Sequence, residues 1–376
     1  MKKILLLQTK HGPYHIARLE AIVDCMKNLS WEVKSVELSR QSLQYKWVND
    51  ITDQKAIISL LKDKVPEDVS FFSLSQQLLN TLRKIEPDVV VIAGYGKWIF
   101  RLALIWCITR KIPTILLSDS KEDDEPRIWW KEAIKSFLVN KYSSALVGGH
   151  PHQRYLLKLG FPEDAIFIGY DVVDNSVFHP EKIKKLPSPI HKPYFLSINR
   201  FVTKKNLLLL ITAYTNYYQK VGEKAWDLVL CGDGELRPQI EGLIKQYQLE
   251  NHVHLPGFLQ QDEMLPYFAH AQAFIHASTT EQWGLVVNEA MAAGLPVIVS
   301  NCCGCFEDLV IEGVNGFGFN PENREKLTNL MMRMSSGEVN LEAMGKASLE
   351  QIKKYSPKFH ANQLIKAVKY CFFKQG

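Results

Sequence analysis

The chain has 376 residues, of which 46% are hydrophobic and 23% are charged, and its formal net charge is +5. This composition is typical of a soluble globular protein, and the length exceeds one hydrophobic core of ordinary size, so we expect two domains. The best candidate for a membrane-spanning helix is interrupted by Arg110 and Lys111 and lacks the roughly 18 to 20 apolar residues required, which argues against a membrane-spanning protein.

The first predicted element is a buried strand near the amino terminus, KILLLQT. Its apolar run is too short for the core of a signal peptide, so we expect a cytoplasmic protein. The seven cysteines, an odd number without regular spacing, fit that reducing compartment better than a disulfide framework.

The loop after this strand, QTKHGPYH, lies where ligands of open α/β sheets bind, at the carboxyl end of a strand. Gly12 would allow the backbone to approach a ligand closely. His11 and His15 are better explained as surface residues than as bases, although a role in the site stays open.

Short β-branched strands alternate with helix-length segments along the whole chain. They are WEVKSVEL, DVVVIAG, PTILLSD and SALVGG in the first half, and YFLSINR, WDLVLCG, HVHLPG, AFIHAS and PVIVSN in the second. This alternation predicts two doubly wound α/β domains with parallel sheets. A stretch rich in Pro and Lys, 178–195, marks the linker. We place the domains at 1–185 and 186–355, with a last helix over 356–376 packing back on the first domain.

The segment RIWWKEAIKSFLVNKY, 127–142, predicts a basic, aromatic, amphipathic helix. It could rest on an anionic membrane, but packing in the core of the first domain is the favoured interpretation. Residues 1–190 contain 27 Lys and Arg against 22 Asp and Glu, and residues 191–376 contain 18 of each. So small an excess in the first half fits a solvated face better than an anionic partner.

Two glutamates follow the strand AFIHAS, in EQWGLVVNEAMAAGLP. Glu281 falls in the loop, and Glu289 falls on a helix that ends at Gly294. On one continuous helix, eight residues would separate them by roughly 12 Å. This exceeds the roughly 5 to 9.5 Å between the paired carboxylates of glycoside hydrolases. An acid/base pair of that kind is therefore disfavoured.

The same loop carries amides at a helix amino terminus, where phosphate groups bind: Gly284, Leu285 and Val286. One turn further, Glu289 could accept hydrogen bonds from ribose hydroxyls. A second loop, SINRFVTKKNL, places Arg200 and Lys205 where both could reach one diphosphate. Solvated loop residues and an ordinary capped helix are the alternative explanation for each motif taken alone.

Three further motifs carry less information. CGDGEL is a lone G-x-G, too weak to indicate a dinucleotide site. KEDDEPR, 121–127, is best explained as a solvated acidic loop rather than a metal site. Cys302 and Cys305 have C-x2-C spacing without a second pair, so we expect them to pack as small apolar residues and expect no metal site.

Taken in order, SINRFVTKKN, CGDGEL, LPGFL, EQWGLVVNEAMAAGLPVIVS and NGFGFNP resemble the retaining nucleotide-sugar glycosyltransferases of family 4, the glycosyl transferases group 1. The resemblance covers the whole second domain and the first in outline. It implies the GT-B fold, in which two Rossmann-like domains face a central cleft. The acceptor would bind to the first domain and the donor to the second.

The resemblance also implies roles for individual residues. Arg200 and Lys205 would hold the donor diphosphate, and Glu289 would bind ribose. Glu281 would be catalytic and contact the transferred sugar. The remaining donor contacts would come from Gly12, Gly284, Leu285 and Val286.

The chain departs from the family pattern at several positions. Asn199 replaces a common Gly, Trp283 replaces a common Phe, and CCGCFED replaces a Gly-rich turn. Ser118 or Asp119 stands where many members carry a histidine after a first-domain strand. We take Asp119 as the candidate catalytic residue of this domain.

The implied activity is that of a retaining, metal-independent hexosyltransferase without a cofactor, acting in polysaccharide, glycolipid or other glycoconjugate biosynthesis. Its partners would be a nucleotide-sugar donor and a carbohydrate, lipid-linked or small hydroxyl acceptor, with peripheral contact to the inner membrane face and no nucleic acid. An alternative is a GT-B subunit that binds a nucleotide sugar without turnover. A nicotinamide-dependent oxidoreductase is disfavoured, because no G-x-G-x-x-G follows the first strand of either domain.

Overall fold

The computed structural model describes residues 1–40, 56–61, 64–65 and 68–374. Contacts between residues divide the chain into two compact units. The first unit comprises Met1–Val173 and Ser356–Gly376, and the second unit comprises Asp174–Tyr355. The last helix is thus part of the first unit.

Within the described residues, the first unit has one parallel sheet of seven strands in the order β3-β2-β1-β4-β5-β6-β7. The strands are β1 (Lys3–Gln8), β2 (Glu32–Ser39), β3 (Ile57–Leu61), β4 (Val89–Ala93), β5 (Thr114–Ser118), β6 (Ser144–Val147) and β7 (Ile166–Ile168). The helices are α1 (Pro13–Lys27), α2 (Phe71–Ile85), α3 (Trp98–Thr109), α4 (Trp129–Val139), α5 (His150–Lys158) and α15 (Pro357–Phe373).

Both faces of this sheet are buried. Successive side chains of a strand point to opposite faces, so Leu5 and Leu7 join the core beneath α2, α3 and α5. Ile4 and Leu6 join the core beneath α1 and α15. Apolar strands of this kind therefore need helices on both sides, as the sequence pattern predicts.

The second unit has, within its described residues, a parallel sheet of six strands in the order β10-β9-β8-β11-β12-β13. The strands are β8 (Tyr194–Ile198), β9 (Asp227–Cys231), β10 (Val253–Gly257), β11 (Ala273–His276), β12 (Val297–Ser300) and β13 (Gly316–Phe319). The helices are α6 (Asn175–Phe178), α7 (Pro180–Ile183), α8 (Leu207–Val221), α9 (Arg237–Gln246), α10 (Gln261–His270), α11 (Leu285–Ala292), α12 (Phe306–Leu309), α13 (Arg324–Ser335) and α14 (Leu341–Ile352).

The strand order of the second unit brings two distant motifs together. Strands β8 and β11 are adjacent and parallel, with Phe195 paired to Ala273 and Leu196 to Phe274. Their carboxyl ends therefore lie at the same edge of the sheet. The loops that follow them carry the basic motif and the first of the two glutamates.

Helix α4 is not a core helix. Val139 is its buried residue, whereas Trp129 is 82% exposed and Phe137 is 64% exposed. The expectation that the aromatic residues of 127–142 pack in the core of the first domain is wrong for Trp129, Trp130 and Phe137, which are exposed, but Tyr142 beyond the helix does belong to that core. Among the described residues, no helix has the length and apolar character needed to span a bilayer.

Candidate functional site

The basic loop and the glutamate loop meet at the carboxyl edge of the second sheet. Lys204 and Lys205 lie in a 3-10 turn, Thr203–Lys205, just before α8. The amide of Thr279, in the loop after β11, donates to the carbonyl of Lys204 at 2.9 Å. This bond holds the lysines beside Glu281.

Glu281 is enclosed by polar groups from both loops. The ammonium of Lys205 forms an ion pair with Oε2, and Nζ of Lys204 lies 3.5 Å from Oε1. Burial by itself would raise the pKa of Glu281, but the neighbouring His276 and the charge of Lys205 outweigh it and hold the pKa well below its ordinary value. The carboxylate is therefore ionised at neutral pH.

The sequence motifs did not identify Lys204, Ser278 or His276 as parts of this site. His276 is fully buried at the end of β11, with Nε2 3.2 Å from Oγ of Ser278 and 3.6 Å from Oε2 of Glu281. Burial and the charge of Lys205 lower the pKa of His276, so its ring is neutral. The sequence did contain one signal for His276, since it is a histidine in an otherwise apolar strand that leads into the loop of Glu281.

The segment CCGC, residues 302–305 and called the cysteine segment below, supports the backbone of Glu281. Cys303 forms a parallel bridge with Glu281, and the amide of Gly304 donates to the Glu281 carbonyl at 3.0 Å. The backbone amide of Cys305 donates to the Trp283 carbonyl at 3.1 Å. Burial raises the pKa of the Cys305 thiol far above its usual range, so the thiol is protonated. Cys305 is buried, in agreement with the predicted packing role, whereas Cys302, for which the same role is predicted, is only partly buried.

Helix α11 begins at Leu285, immediately beyond Gly284. Gly284 has φ +106°, a conformation that side chains rarely adopt, and a Cβ there would lie 3.5 Å from both Cys305 Sγ and Glu281 Cγ. The first amides of a helix, here those of Leu285 and Val286, have no acceptor within the helix. They suit an anion beside Glu281.

Glu289 lies in the second turn of α11 and is only 2% exposed. The indole of Trp283 donates to Oδ1 of Asn288, the residue before it, at 2.8 Å, which ties the glutamate loop to this helix. The structure thus places Glu281 and Glu289 on different elements, as the sequence predicts. Among the described residues, no cluster of three or more His, Cys, Asp or Glu side chains is arranged to hold a metal ion.

The lone G-x-G of CGDGEL has a packing role. A Cβ on Gly232 would lie 1.8 Å from the Asn199 carbonyl oxygen, and one on Gly234 would lie 2.6 Å from the Phe201 carbonyl oxygen. These glycines let the loop after β9 pack against the backbone on either side of Arg200, whose side chain is exposed.

His11 is fully buried, so its assignment to the surface is wrong. Its Nδ1 lies 2.9 Å from Glu37 Oε2 and its Nε2 lies 2.9 Å from Ser35 Oγ, both on the neighbouring strand β2. His15 is partly buried, and its Nδ1 accepts from the Gly12 amide at 3.2 Å. Burial and the nearby Arg18 lower the pKa of His15 to about 3.

Gly12 precedes α1 with φ −106°, which any residue can adopt, and a Cβ there would meet only His15 Nδ1 at 3.6 Å among the described atoms. The packing of the chain itself therefore does not require glycine at this position.

Asp119 follows β5 at the carboxyl edge of the first sheet. Burial raises its pKa, against the opposing effects of His152 and Arg18. The same Arg18 lies 3.6 Å from Asp171, whose pKa burial raises to about 7. Asp119 thus belongs to a cluster of carboxyl groups around one buried guanidinium.

The acidic segment 121–127 is largely solvated, as expected, since three of its four acidic residues are exposed: Glu122, Asp123 and Glu125. Arg127 forms an ion pair with Asp124 and donates to the carbonyls of Lys121 and Glu122. Lys121 itself is 2% exposed. The segment is a structured turn closed by its own charges.

The family described as Glycosyl transferases group 1 matches residues 178–351. Alpha-monoglucosyldiacylglycerol synthase of Acholeplasma laidlawii is 29% identical over 164 residues, 44% of this chain and 40% of that protein. Sulfoquinovosyl transferase SQD2 of Arabidopsis thaliana is 29% identical over 309 residues, 78% of this chain and 58% of that protein. The chain thus spans about half the length of the curated relatives it matches.

A solved structure supports the fold. Anabaena Alr3699/HepE in complex with UDP matches with a TM-score of 0.77 at 18% sequence identity, over 98% of this chain and 100% of that chain. The predicted fold class, GT-B with two parallel-stranded α/β sheets, is confirmed. Residues 178–351, the part of the chain that matches the glycosyl transferases group 1 family, make up most of the second unit.

Proposed function

We propose that this protein is a glycosyltransferase that moves a hexose from a nucleotide diphosphate sugar to a hydroxyl acceptor, with retention of configuration and without a metal ion. The observation that carries the proposal is the ion pair between Lys205 and Glu281 beside the amino terminus of α11. A cation suited to phosphate, a carboxylate suited to sugar hydroxyls and helix amides suited to an anion therefore lie together at one edge of the second sheet.

The donor would bind along this edge. Arg200, which is exposed, and Lys205 bind the diphosphate, together with the amides of Gly284, Leu285 and Val286. Glu289 accepts hydrogen bonds from ribose. In the first unit, Gly12 leaves room for close approach of the donor, and its own surroundings are compatible with that role.

The reaction breaks the bond between the anomeric carbon and the phosphate oxygen. A bond from the anomeric carbon to the acceptor oxygen forms on the same face of the sugar, and the leaving phosphate takes the proton of the acceptor hydroxyl. Arg200 and Lys205 stabilise the negative charge that develops on the diphosphate. Glu281 orients the sugar through its hydroxyls, and Asp119 is proposed as the catalytic residue of the first unit.

The nucleotide can be identified by thermal shift with UDP-, GDP- and ADP-glucose. UDP-glucose is the first choice, because the similar Anabaena structure contains UDP. A ligand at one hundred times its Kd adds about 2.7 kcal/mol to the free energy of unfolding, so the melting temperature rises by several degrees. The selected nucleotide sugar should then release its sugar to water or an acceptor. Binding without any turnover would instead support a non-catalytic subunit.

Substitution of Lys205 tests the diphosphate assignment. Lys205→Met should fold but lose the thermal shift and about 100-fold or more of the transfer rate, the range for loss of one charge-stabilising donor. Lys220→Met is the matched control, because Lys220 is an exposed lysine in the last turn of α8, the helix that follows Lys205. Full transfer by the Lys205→Met protein contradicts the assignment.

We also propose that the first unit binds an anionic membrane surface through α3 and α4. Exposed apolar residues lie on both helices: Ile105, Ile108, Trp129, Trp130, Ile134 and Phe137. Across 97–111 and 128–142 the chain has seven Lys and Arg and one Glu. Exposed aromatic residues interleaved with cations suit the interface of an anionic bilayer.

A further inference from the structure

None of the donor contacts proposed above involves His276, yet its ring lies beside Glu281 in the same site. It is fully buried, and its Nδ1 has no hydrogen-bond partner within the part of the chain that the structure describes. Nε2, in contrast, lies 3.2 Å from Ser278 Oγ and 3.6 Å from Glu281 Oε2. The ring therefore has all its polar contacts on the side of Glu281.

This arrangement assigns the proton of the neutral ring. A buried N–H without an acceptor costs free energy, so the proton belongs on Nε2, where acceptors are present, and Nδ1 is the bare nitrogen. The distance of 3.6 Å to Glu281 is too long for a strong direct bond. Ser278 Oγ is near both groups, 3.2 Å from His276 Nε2 and 3.5 Å from Glu281 Oε2, so it can accept from His276 while it donates a long hydrogen bond to the carboxylate.

The ion pair with Lys205 explains why Glu281 needs this second support. Lys205 pairs with Glu281 in this structure, and the proposed function requires the same ammonium to contact the donor diphosphate. A diphosphate carries more negative charge than one carboxylate, so it attracts the lysine away from Glu281 or shares it. Glu281 must then stay ionised and oriented through groups that do not contact phosphate.

We propose that His276 is a positioning residue, which holds Glu281 through Ser278 and keeps the carboxylate directed at the transferred sugar while Lys205 binds the diphosphate. This inference rests on the proposed function. Among the residues that the structure describes, the other titratable groups around Glu281 are Lys204, Lys205, Cys303 and Cys305. Both thiols are buried, and the thiol of Cys305 is protonated and therefore uncharged. The two lysines are thus the cations that could stabilise ionised Glu281 in place of His276.

Three variants test the role: His276→Leu, His276→Gln and Ser278→Ala. The leucine variant should lower kcat about 10- to 100-fold, the range for residues that orient a functional group, with little change in KM for the nucleotide sugar. The acidic limb of the pH profile of kcat should move to higher pH, because Glu281 loses a group that favours its ionised form. Glutamine can place an N–H near the position of Nε2 and should restore most of kcat.

Binding of UDP alone, measured by calorimetry, separates positioning from a structural role. UDP lacks the sugar that Glu281 contacts, so all three variants should bind UDP as the unaltered protein does. His252→Leu is the matched control: His252 is a largely buried histidine of the same unit, bound to Tyr218 and Asp227 at the amino edge of the sheet. Its substitution should leave kcat unchanged.

The outcomes are distinguishable. If the unaltered protein binds none of the three nucleotide sugars and shows no turnover, the proposed function fails, and this inference fails with it. If the unaltered protein turns over and His276→Leu retains its kcat and pH profile, only the role of His276 is overturned. Loss of UDP binding together with kcat in His276→Gln also overturns it, because the residue would then be structural. Should the leucine variant not fold, the other two variants decide.

Discussion

At the scale of single residues, Glu281 shows how surroundings decide the state of a carboxyl group. Burial alone would favour the neutral acid, but His276, Lys205 and the neighbouring Lys204 favour the anion. The sequence shows only that a glutamate follows a strand. Lys205 and Glu281 are 76 positions apart, so their ion pair is not evident from the sequence. It forms because β8 and β11 are neighbours in the sheet.

Glu281→Gln should make the protein less sensitive to acid. The pKa of Glu281 in the folded protein lies below its ordinary value of 4.5, so its contribution to stability is fully present above pH 4.5 and is lost as the pH falls below it. At pH 7 the free energy of unfolding of the variant should be lower by about 1 to 3 kcal/mol, and the variant should also lose sugar transfer activity. At pH 3 the difference from the unaltered protein should be smaller. Urea unfolding at both pH values measures this.

Glu342→Gln serves as the control for this titration. Glu342 pairs with Lys346 at 2.6 Å on the surface of α14, and exposed ion pairs contribute little to stability. Its substitution should leave urea unfolding nearly unchanged at both pH values. A pH-independent loss of stability in Glu281→Gln would show that the carboxylate is not held in its ionised form.

At the scale of elements, the turn into α11 is the part of the site most dependent on backbone conformation. The cysteine segment fixes one side of this turn and Gly284 forms its corner. The sequence predicts this strand, loop and helix, because AFIHAS and LVVNEAMAAG have clear patterns. It does not predict that CCGC pairs with the glutamate loop, since that pairing depends on the adjacency of β11 and β12.

Gly284→Ala should strain this turn. Its φ of +106° costs about 1 to 3 kcal/mol for a residue with a side chain, and the helix amides would move relative to Glu281. We expect a lower melting temperature and weaker binding of UDP by calorimetry. Gly337→Ala is the matched control, because Gly337 has φ +84° in open space. It carries similar strain and should leave UDP binding unchanged, and equal weakening in both variants would contradict a specific role for the turn.

At the scale of the whole molecule, two units with separate cores carry different features. The second contains the proposed donor site, and the first exposes apolar residues on α3 and α4. The two activities should therefore be separable by substitution. A variant altered only in α4 should retain its thermal shift with nucleotide sugar.

Trp129→Ala combined with Phe137→Ala should weaken sedimentation with vesicles of phosphatidylglycerol and phosphatidylcholine. Both side chains are more than half exposed, and removal of large apolar groups reduces the area buried in the bilayer. We expect about a tenfold loss of binding or more. Phe373→Ala, on α15, is the control, since Phe373 is equally exposed but lies on another helix. Binding that persists in the double variant, or that is equal on vesicles of phosphatidylcholine alone, contradicts the proposal.

The sequence by itself determined the two series of strands and helices, the parallel sheets and the place of each motif at the carboxyl end of a strand. These features follow from local patterns of apolar residues and from glycine. Only the tertiary structure decided that His11 is buried, that α4 is exposed, and that Lys204, Lys205, His276 and Ser278 surround Glu281. Each of these depends on which strands are neighbours and which helix face meets the sheet, and residues far apart in the chain determine both.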